Sequence, residues 1–446
     1  MGRPSKGRAI SVWTNGQRVG TWRIPARSGM EFSYDAAWMA SAAGRPLSLS
    51  LPFGIDTGPL RGEAVLNYFD NLLPDSDVIR RRLAARHRTS STDAFDLLAA
   101  IGRDCTGAVQ MLGEDEEPEN IERIEGTPLS DEDIETLLSR TVTAPGPLGI
   151  DEIVDFRVSI AGMQEKTALL VHGGQWMLPR GATPTTHILK MPIGLVGNRR
   201  ADLTTSVENE WLCMQMVQAL GLPAADCEML TFGTQRVLSV KRFDRQMHSS
   251  GTWIMRLPQE DFCQALGLPS HLKYEADGGP GMTDLAGVLR QSVNAGRDLD
   301  TLLAAQIVFW MLAATDGHAK NFSIHLLPGG RFRLAPLYDI MSVWPIVGNG
   351  PNQVPHQRVK LAMAVSGKNR HFLLRDIRRR HFNAMARRCY VGTSAEPVLT
   401  GLLERLPGAI AEVAGRVPQG FPARVADPIF EQLEASADRL AAMELA

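Results

Sequence analysis

The chain has 446 residues, which is too long for one ordinary domain and suits roughly two to four. Hydrophobic residues make up 44% and charged residues 22%, a globular composition that excludes disordered, collagenous and coiled-coil classes. Lys and Arg number 47 against 49 Asp and Glu, so the formal net charge of -2 attracts neither nucleic acid nor membrane as a whole. Any nucleic-acid contact must depend on a local basic patch.

Cysteine usage and hydropathy predict the cellular location of the protein. The five cysteines are far apart and form no C-x-x-C or zinc-ligand spacing, which favours a reducing cytoplasm and no structural metal. The first 16 residues run into polar turn residues, so we expect no secretory signal. The most apolar stretch, 301–315, is shorter than the ~20 residues of a membrane span and predicts a buried core helix. We therefore expect a cytoplasmic protein without a membrane partner.

Short apolar runs separated by turn residues begin the chain. Residues 10–13 and 19–24 flank Asn15-Gly16, a pattern typical of a β-hairpin. Residues 47–51 alternate leucine and serine, which predicts a strand, while 64–73 and 80–83 have helical periodicity. We interpret residues 1–113 as an N-terminal mixed α/β subdomain.

An acidic segment follows this subdomain. Between residues 114 and 135 there are eleven acidic residues and one basic residue, Arg123, and Pro118 and Pro128 interrupt regular structure. We interpret residues 114–150 as a solvated acidic connector with a short helix that begins at Ser130.

The remaining residues form two regions of different pattern. The first, 151–256, predicts an antiparallel sheet and one helix, 207–220, begun by a capping box of Thr205 and Glu208. Its predicted strands are 156–160, 166–171, 176–178, 187–191, 229–230 and 237–240.

The second region, 257–446, is mostly helical, with one strand pair at 322–325 and 332–334. Its predicted helices are 261–266, 282–291 and 299–314. The predicted fold class is therefore α+β, with a sheet-rich N-lobe (151–256) before a helical C-lobe (257–446).

Three residues in the C-lobe have the spacing of a kinase catalytic loop. Asn321 lies five residues after Asp316, and Asp339 follows eighteen residues later. Phosphoryl transfer needs one carboxylate to accept the hydroxyl proton, and an amide with a second carboxylate to hold magnesium. The same residue types also suit ordinary turns and helix caps, so spacing alone leaves both interpretations open.

Two upstream features fit the same chemistry. Residues 159–166 (SIAGMQEK) lie in a predicted turn where backbone N–H groups can approach phosphate, although an ordinary hairpin also explains them. Lys190 follows three residues of a predicted strand, where an inward ammonium requires an anion; an outward edge lysine is the alternative. Glu210, on the next helix, either orients Lys190 or faces solvent.

Several motifs, in order along nearly the whole chain, closely resemble the HipA kinase family. In the two lobes they are 156–166 (FRVSIAGMQEK), 183–190 (TPTTHILK), 242–245 (RFDR), 257–261 (LPQED), 273–281 (KYEADGGPG) and 314–321 (ATDGHAKN). In the N-terminal subdomain they are 49–53 (LSLPF), 69–75 (FDNLLPD) and 101–104 (IGRD). The resemblance implies a bilobal protein-kinase-like fold with an extra N-terminal subdomain.

The resemblance also implies residue roles. Asp316 would be the catalytic base, His318 a neighbour that braces its loop, and Asn321 and Asp339 the magnesium ligands. Ser159 would be an autophosphorylation site whose modification ejects the phosphate loop. The implied nucleotide-binding set is Ile160, Ala161, Gly162, Met163, Gln164, Glu165, Lys166, Lys190, Lys241, Arg242, Phe243 and Asp244.

Lys241 departs from the family pattern. We expect an acidic residue before the Arg242-Phe243-Asp244 hinge, so adenine recognition there should use backbone groups.

By the same resemblance, the protein would be a serine/threonine kinase toxin that uses ATP and Mg2+. It would phosphorylate an aminoacyl-tRNA synthetase, glutamyl-tRNA synthetase, and would pair with a HipB-like helix-turn-helix antitoxin on operator DNA. Two other functions stay open: a DNA-binding co-repressor without catalysis, and a small-molecule or lipid kinase.

A local basic patch supports DNA contact. Residues 358–388 contain ten Lys or Arg and one acid, Asp376. Such density can supply several phosphate contacts, with Arg375, Arg378, Arg379 and Arg380 as the candidates. A solvated helical face is the alternative interpretation.

Overall fold

The computed structural model describes residues 7–25, 29–54, 58–142, 161, 164–196 and 201–444. Among those residues, no helix combines the length and the apolar character needed to cross a membrane. The described residues form an N-terminal subdomain, a sheet-rich lobe and a helical lobe.

The N-terminal subdomain packs four helices against a five-stranded sheet of order β4-β3-β2-β1-β5. Its core includes Trp22, whose ring stacks on Phe69 at 4.0 Å. Its strands are β1 (Arg8–Thr14), β2 (Gln17–Ile24), β3 (Glu31–Tyr34), β4 (Leu60–Arg61) and β5 (Gln110–Gly113). Its helices are α1 (Ala36–Ala40), α2 (Glu63–Asp70), α3 (Asp77–His87) and α4 (Ala94–Ile101).

The hairpin and the two helices predicted for this subdomain form, and the strand predicted at 47–51 does not. The hairpin at Asn15-Gly16 forms, because β1 and β2 pair antiparallel on either side of it. Residues 47–51 are turns and bends, and no strand forms there. The Ser48 and Ser50 hydroxyls both donate to the Gln264 carbonyl, so this segment bonds the C-lobe through side chains instead of a β-ladder.

The sheet-rich lobe is a six-stranded antiparallel sheet of order β12-β13-β9-β7-β8-β6 with two helices. Its sheet consists of β6 (Gly126–Pro128), β7 (Lys166–His172), β8 (Gln175–Pro179), β9 (His187–Lys190), β12 (Cys227–Phe232) and β13 (Gln235–Lys241). Two hairpins flank it, β10 (Gly194–Val196) with β11 (Ala201–Leu203), and β14 (Arg245–Met247) with β15 (Ile254–Arg256). The helices are α5 (Asp131–Val142) and α6 (Ser206–Ala219).

Part of the predicted acidic connector packs on this lobe. Strand β6 pairs with β8, and α5 begins one residue after Ser130. Ile134 and Leu138 of α5 are fully buried in one hydrophobic cluster with Phe232. The apolar face of this acidic helix therefore covers the sheet. The predicted capping box of α6 is wrong, because the Thr205 side chain makes no cap hydrogen bond.

The helical lobe surrounds α9, whose middle and end are buried on all sides. Trp310 on α9 is fully buried, which confirms the core helix predicted near 301–315. The helices are α7 (Phe262–Ala265), α8 (Met282–Leu289), α9 (Ala295–Leu312), α10 (Arg379–Arg388), α11 (Glu396–Arg416) and α12 (Ala423–Ala442). This lobe also has the strands β16 (Gln259–Asp261), β17 (Ser323–Leu327), β18 (Arg331–Leu334), β19 (Lys360–Ser366) and β20 (Arg370–Leu373). The β19–β20 pair was not predicted.

Candidate active site

A cleft between the six-stranded sheet and the helical lobe collects the predicted chemical residues. Its enclosed volume is about 150 Å3. The sheet contributes Lys190, α6 contributes Glu210, and the segments after α9 and β18 contribute Asp316, Asn321 and Asp339. Residues separated by as much as 149 positions therefore meet in one cleft.

Lys190, Glu210 and Asp339 form a buried ion triplet that we call the cleft cluster. The Lys190 Nζ donates to Glu210 Oε1 at 2.6 Å and to Asp339 Oδ1 at 2.6 Å. The Lys190 and Glu210 side chains are 9% and 2% exposed, whereas that of Asp339 is 29% exposed. Asp339 is therefore the member that a ligand in the cleft can reach.

The protonation states of the cleft cluster follow from this geometry. Burial opposes the charge of Lys190, but Asp339 and Glu210 outweigh it and raise the Lys190 pKa above its usual value. Burial likewise opposes ionisation of Asp339, yet Lys190 and Lys166 lower the Asp339 pKa. Burial raises the Glu210 pKa to about 7 against the opposing effect of Lys190. Asp339 is therefore the ionised carboxylate that faces the cleft.

The backbone at Asp339 is unusual. Its φ is +60°, in the left-handed region that non-glycine residues rarely adopt. This conformation costs of order 1–2 kcal/mol. The contact with Lys190 and the Tyr338 hydroxyl, which donates to the Lys320 carbonyl at 2.8 Å, hold the segment in place.

Asp316 lies on the loop that leaves α9. Helix α9 ends at Ala313, which adopts a left-handed C-cap conformation and turns the chain toward the cleft. The Asp316 side chain is 59% exposed, so an acceptor can approach it. Its Oδ1 accepts a hydrogen bond from the Tyr274 hydroxyl at 2.7 Å.

His318 is buried behind this loop. Its ring packs edge-on against Tyr274 with a centroid distance of 4.9 Å, and its Nε2 lies 3.9 Å from Asp316 Oδ1. Burial lowers the His318 pKa, with Asp316 opposing that shift. A neutral, buried imidazole in this position packs the loop, as expected for a residue that braces it.

Asn321 and Asp339 together fit a magnesium ion. The Asn321 Nδ2 donates to the Asp316 carbonyl at 2.8 Å, which orients the amide and leaves Oδ1 as its acceptor atom. Mg2+ is usually held by one or two protein oxygen ligands together with substrate phosphates. Among the described residues, no group of three or more His, Cys, Asp or Glu side chains could hold a metal alone. The donor set therefore suits a metal that arrives with a nucleotide.

The predicted phosphate loop lies partly outside the described residues. Ser159, Ile160, Gly162 and Met163 are in that part. Ala161 and Lys166 line the cleft. Burial first, and then Lys190, lower the Lys166 pKa to about 8. Lys166 is therefore a second lysine, beside Lys190, that lines the cleft.

Gln164 and Glu165, the described residues between Ala161 and Lys166, contact other parts of the chain. Gln164 Nε2 donates to the Met191 carbonyl at 2.5 Å, and Glu165 forms an ion pair with Arg82 of α3. The end of this loop is thus fixed to both β9 and the N-terminal subdomain.

The predicted hinge contains a second buried ion network, which we call the closed cluster. Its members are joined by N···O distances of 2.7 to 3.4 Å, and their side chains are 2% to 7% exposed. Two carboxylates and three guanidiniums take part: Asp104, Asp244, Arg242, Arg245 and Arg256. Asp104 belongs to the N-terminal subdomain, so the closed cluster attaches that subdomain to the hinge.

The other hinge residues have different surroundings. Phe243 lines the cleft, and its ring lies 5.7 Å from that of Tyr338, which provides an aromatic wall. Lys241 is exposed, and its backbone N–H donates to the Asp226 carbonyl at 2.8 Å. The side chains of Arg242 and Asp244 bind each other and the N-terminal subdomain, and both residues line the cleft together with Lys241 and Phe243.

Sequence reasoning missed several polar residues that line the cleft. Lys320 donates to Asp261 Oδ2 at 2.9 Å and to Asn71 Oδ1 at 2.6 Å. Lys273 donates to Asp75 Oδ2 at 2.7 Å. Asn71 and Asp75 belong to the 69–75 motif, and Lys273 and Lys320 to the 273–281 and 314–321 motifs. The motifs marked these residues, but no local signal showed that they meet.

The four DNA candidates separate into two kinds. Arg375, Arg378 and Arg380 are exposed on the surface around the start of α10. Arg379 is 12% exposed, forms a bidentate contact with Glu396 and donates to the Leu440 carbonyl at 3.1 Å. Arg379 therefore joins α10 to α11 and α12, and we remove it from the DNA candidates.

Two domain families match the chain. Residues 158–419 match the HipA-like C-terminal domain, and residues 10–112 match the HipA N-terminal domain. A protein of Sinorhizobium fredii named "Putative kinase Y4mE" is 35% identical over 339 residues, 75% of this chain and 77% of that protein. The serine/threonine-protein kinase toxin HipA of Shewanella oneidensis is 27% identical over 331 residues, 70% and 69% of the two chains.

A solved structure confirms the predicted fold class. The Shewanella oneidensis HipA chain, solved in complex with HipB and operator DNA, matches with a TM-score of 0.77 at 24% identity and covers 97% of both chains. The α+β, kinase-like fold with an additional N-terminal subdomain is thereby established. The two domain matches cover most of the described chain in the expected order, so this chain belongs to the HipA family.

Proposed function

We propose that this protein is a Mg-ATP-dependent serine/threonine protein kinase. The observation that carries the proposal is the cleft cluster beside Asp316 and Asn321: a lysine held by a helix carboxylate, opposite an ionised aspartate that faces the cleft. This is the set of groups that phosphoryl transfer from a nucleotide requires. Two relatives named as kinases support it.

In the proposed reaction, the acceptor hydroxyl oxygen forms a bond to the γ-phosphorus while the bond from that phosphorus to the β–γ bridging oxygen breaks. ADP leaves with the electron pair of the broken bond, and the hydroxyl proton passes to the Asp316 carboxylate. Asn321 and Asp339 would hold Mg2+, which when bound neutralises phosphate charge. Lys190 and Lys166 place two ammonium groups on the phosphate side of the cleft.

The adenine would lie against Phe243. Hydrogen bonds to its ring edge would come from backbone groups of residues 240–243 other than the N–H groups of Lys241 and Arg242, which donate to the Asp226 and Thr186 carbonyls. The Arg242 and Asp244 side chains are used within the closed cluster. The acidic residue expected in place of Lys241 is then not needed for base recognition.

We further propose the finer roles that the family resemblance implies. The acceptor would be glutamyl-tRNA synthetase, and Ser159 would be autophosphorylated to switch the kinase off. The chain would act as a toxin, pair with a HipB-like antitoxin and contact operator DNA through Arg375, Arg378 and Arg380. The related chain from Shewanella oneidensis was solved with HipB and operator DNA, which supports this partnership.

The test is phosphate transfer from labelled ATP. Purified protein is incubated with Mg2+ and a cell extract, the labelled sites are mapped, and Asp316→Asn serves as the inactive control. We expect labelled serine or threonine on glutamyl-tRNA synthetase and on Ser159, and only a small residual rate of labelling by Asp316→Asn.

Each proposed function has its own outcome in this experiment. Labelled small molecules or lipids in place of proteins would indicate the alternative kinase class. Absence of transfer together with operator binding would indicate a non-catalytic co-repressor. Ser159 phosphate in the Asp316→Asn protein would show that another kinase modifies that residue.

A further inference from the structure

The closest described contact of the predicted base is with a tyrosine. The Tyr274 hydroxyl donates to Asp316 Oδ1 at 2.7 Å, whereas the Asp316 side chain is otherwise largely exposed. A freely rotating carboxylate on a surface loop is a poor base, because proton transfer requires hydrogen-bond distance and alignment. The bond from Tyr274 to Oδ1 restricts that freedom, while the largely exposed side chain stays accessible to an acceptor.

Tyr274 itself is held on both sides in sequence. Lys273 is paired with Asp75 of the N-terminal subdomain, and the Lys273 carbonyl accepts from the Ala319 N–H at 3.3 Å. On the other side, Glu275 Oε2 accepts from the Ala364 N–H of β19 at 2.7 Å. The tyrosine is therefore placed by contacts to three parts of the fold.

The ring and the hydroxyl of Tyr274 are also suited to this position. The ring packs edge-on against His318, which lies under the Asp316 loop. Burial first, and then the charge of Asp316, raise the Tyr274 pKa well above its usual value. The hydroxyl therefore remains protonated near neutral pH and can donate to Asp316.

We propose that Tyr274 is a positioning residue for the phosphotransfer reaction: its hydroxyl holds the Asp316 carboxylate so that Oδ2 receives the acceptor proton. This inference rests on the proposed kinase function. It assigns to the 273–281 motif a role in catalysis, and it connects the N-terminal subdomain, through Asp75 and Lys273, to the orientation of the base.

A tyrosine that blocks the acceptor would change the rate in the opposite direction from a tyrosine that positions Asp316. Because the acceptor hydroxyl must also donate to Asp316, a tyrosine that only blocks its place would slow the reaction, and its removal would raise the rate. A positioning tyrosine must instead contribute to kcat. The fixed surroundings of Tyr274 favour the second role, since a blocking group has to move aside in each catalytic cycle.

The test is Tyr274→Phe, which removes only the hydroxyl. The readout is initial transfer from labelled ATP to the proteins that the wild-type chain labels in a cell extract. We expect kcat to fall roughly tenfold to a hundredfold, the effect of losing one hydrogen bond to a charged group, with KM for ATP unchanged. Tyr390→Phe is the matched control, because Tyr390 is 51% exposed and packs against Arg290 away from the cleft.

A double-mutant cycle separates positioning from a general structural effect. In the Asp316→Asn background, Tyr274→Phe should cause no further loss of the residual rate, because the group that it positions is already gone. An additive loss would overturn the inference, as would an unchanged or increased rate in the single variant. If the wild-type chain transfers no phosphate, the proposed function fails and this inference fails with it. If the wild-type chain is active and Tyr274→Phe is equally active, this inference fails alone.

Discussion

The cleft cluster and the closed cluster are both buried ion networks, yet they serve different purposes. In the closed cluster each side chain is at most 7% exposed, and Arg242 also donates to the Cys105 carbonyl at 2.8 Å. In the cleft cluster, Asp339 is 29% exposed and lines the cavity. Buried charge alone therefore does not mark a functional site. The candidate site differs from the closed cluster because one of its ionised groups, Asp339, is accessible from the cleft.

This difference has an energetic consequence. Breaking a fully enclosed ion network leaves an unpaired charge without solvent, which costs stability. Removing a group that faces a cavity changes what can bind there and leaves most of the protein contacts in place. Substitutions in the two clusters should therefore separate loss of activity from loss of stability.

The largest expected effect is on activity, at Asp339 of the cleft cluster. Asp339→Asn keeps the shape but removes the charge that faces the nucleotide, so phosphate transfer should fall on the order of 1000-fold, about 4 kcal/mol. Magnesium-dependent ATP binding should be lost as well, measured by titrating nucleotide at several Mg2+ concentrations. Unchanged nucleotide affinity over that range would contradict the assignment of Asp339 as a metal ligand.

The next effect is on stability, at Asp104 of the closed cluster. Asp104→Asn removes the carboxylate that pairs with Arg256 and leaves Asp244 with Arg242 and Arg245, so the free energy of unfolding should fall by about 3 kcal/mol. Urea denaturation followed by circular dichroism measures it. The comparison between the clusters would be broken if Asp104→Asn were as stable as wild type while Asp339→Asn unfolded.

A buried carboxyl group that forms no ion pair with the described residues sharpens the comparison. Glu260 is fully buried, burial raises its pKa to about 8, and its Oε1 accepts from the Leu49 N–H at 2.9 Å. The folded state thus retains a proton that the unfolded chain releases near pH 4.3, so the stability from this group is present at low pH and is lost as pH rises toward 8.

Glu260→Gln should remove this dependence. The difference in unfolding free energy between Glu260→Gln and wild type should change in favour of the variant by about 3.5 kcal/mol between pH 5 and pH 8. Thermal or urea unfolding at a series of pH values measures it, and parallel curves for the two proteins would show that Glu260 does not titrate in this window.

The smallest effect is expected for charges that no network encloses. In a complex with antitoxin and operator DNA, replacing Arg378 and Arg380 with Ala should weaken binding to all sequences and reduce the slope of log affinity against log salt by about 2. Arg331→Ala with Arg333→Ala on β18 is the matched control, because these two arginines are also exposed. Equal slopes for the two double variants would assign the α10 surface to solvent.

The elements that could be predicted from sequence are those whose signal is local. The Asn15-Gly16 turn and the apolar α9 carry that signal in adjacent residues, and both were predicted. The catalytic spacing of Asp316 and Asn321 is likewise contained in one short loop. The domain boundaries and residue roles stay predictions, because geometry alone does not test them.

The elements that sequence reasoning missed depend on distant partners. Residues 47–51 alternate like a strand, but Leu49 binds Glu260 and the neighbouring serines bind Gln264, across more than 200 residues. Asp75 and Tyr274 gave no sign of their contacts, since each acts through a residue on another subdomain or loop. The apolar residues of α5 that pack on the sheet are interspersed with acidic residues, so the sequence did not show which face is buried.

The bond between Lys320 and Asn71 has a consequence for biosynthesis. It joins the catalytic loop to the N-terminal subdomain across 249 residues. At a synthesis rate of about 5–20 residues per second, the ribosome needs roughly 12–50 s to travel from one partner to the other. During this interval the nascent chain contains Asn71 but not yet Lys320. Prematurely terminated products that end before Lys320 therefore contain Asn71 and Asp75 but lack the lysine that pairs with both.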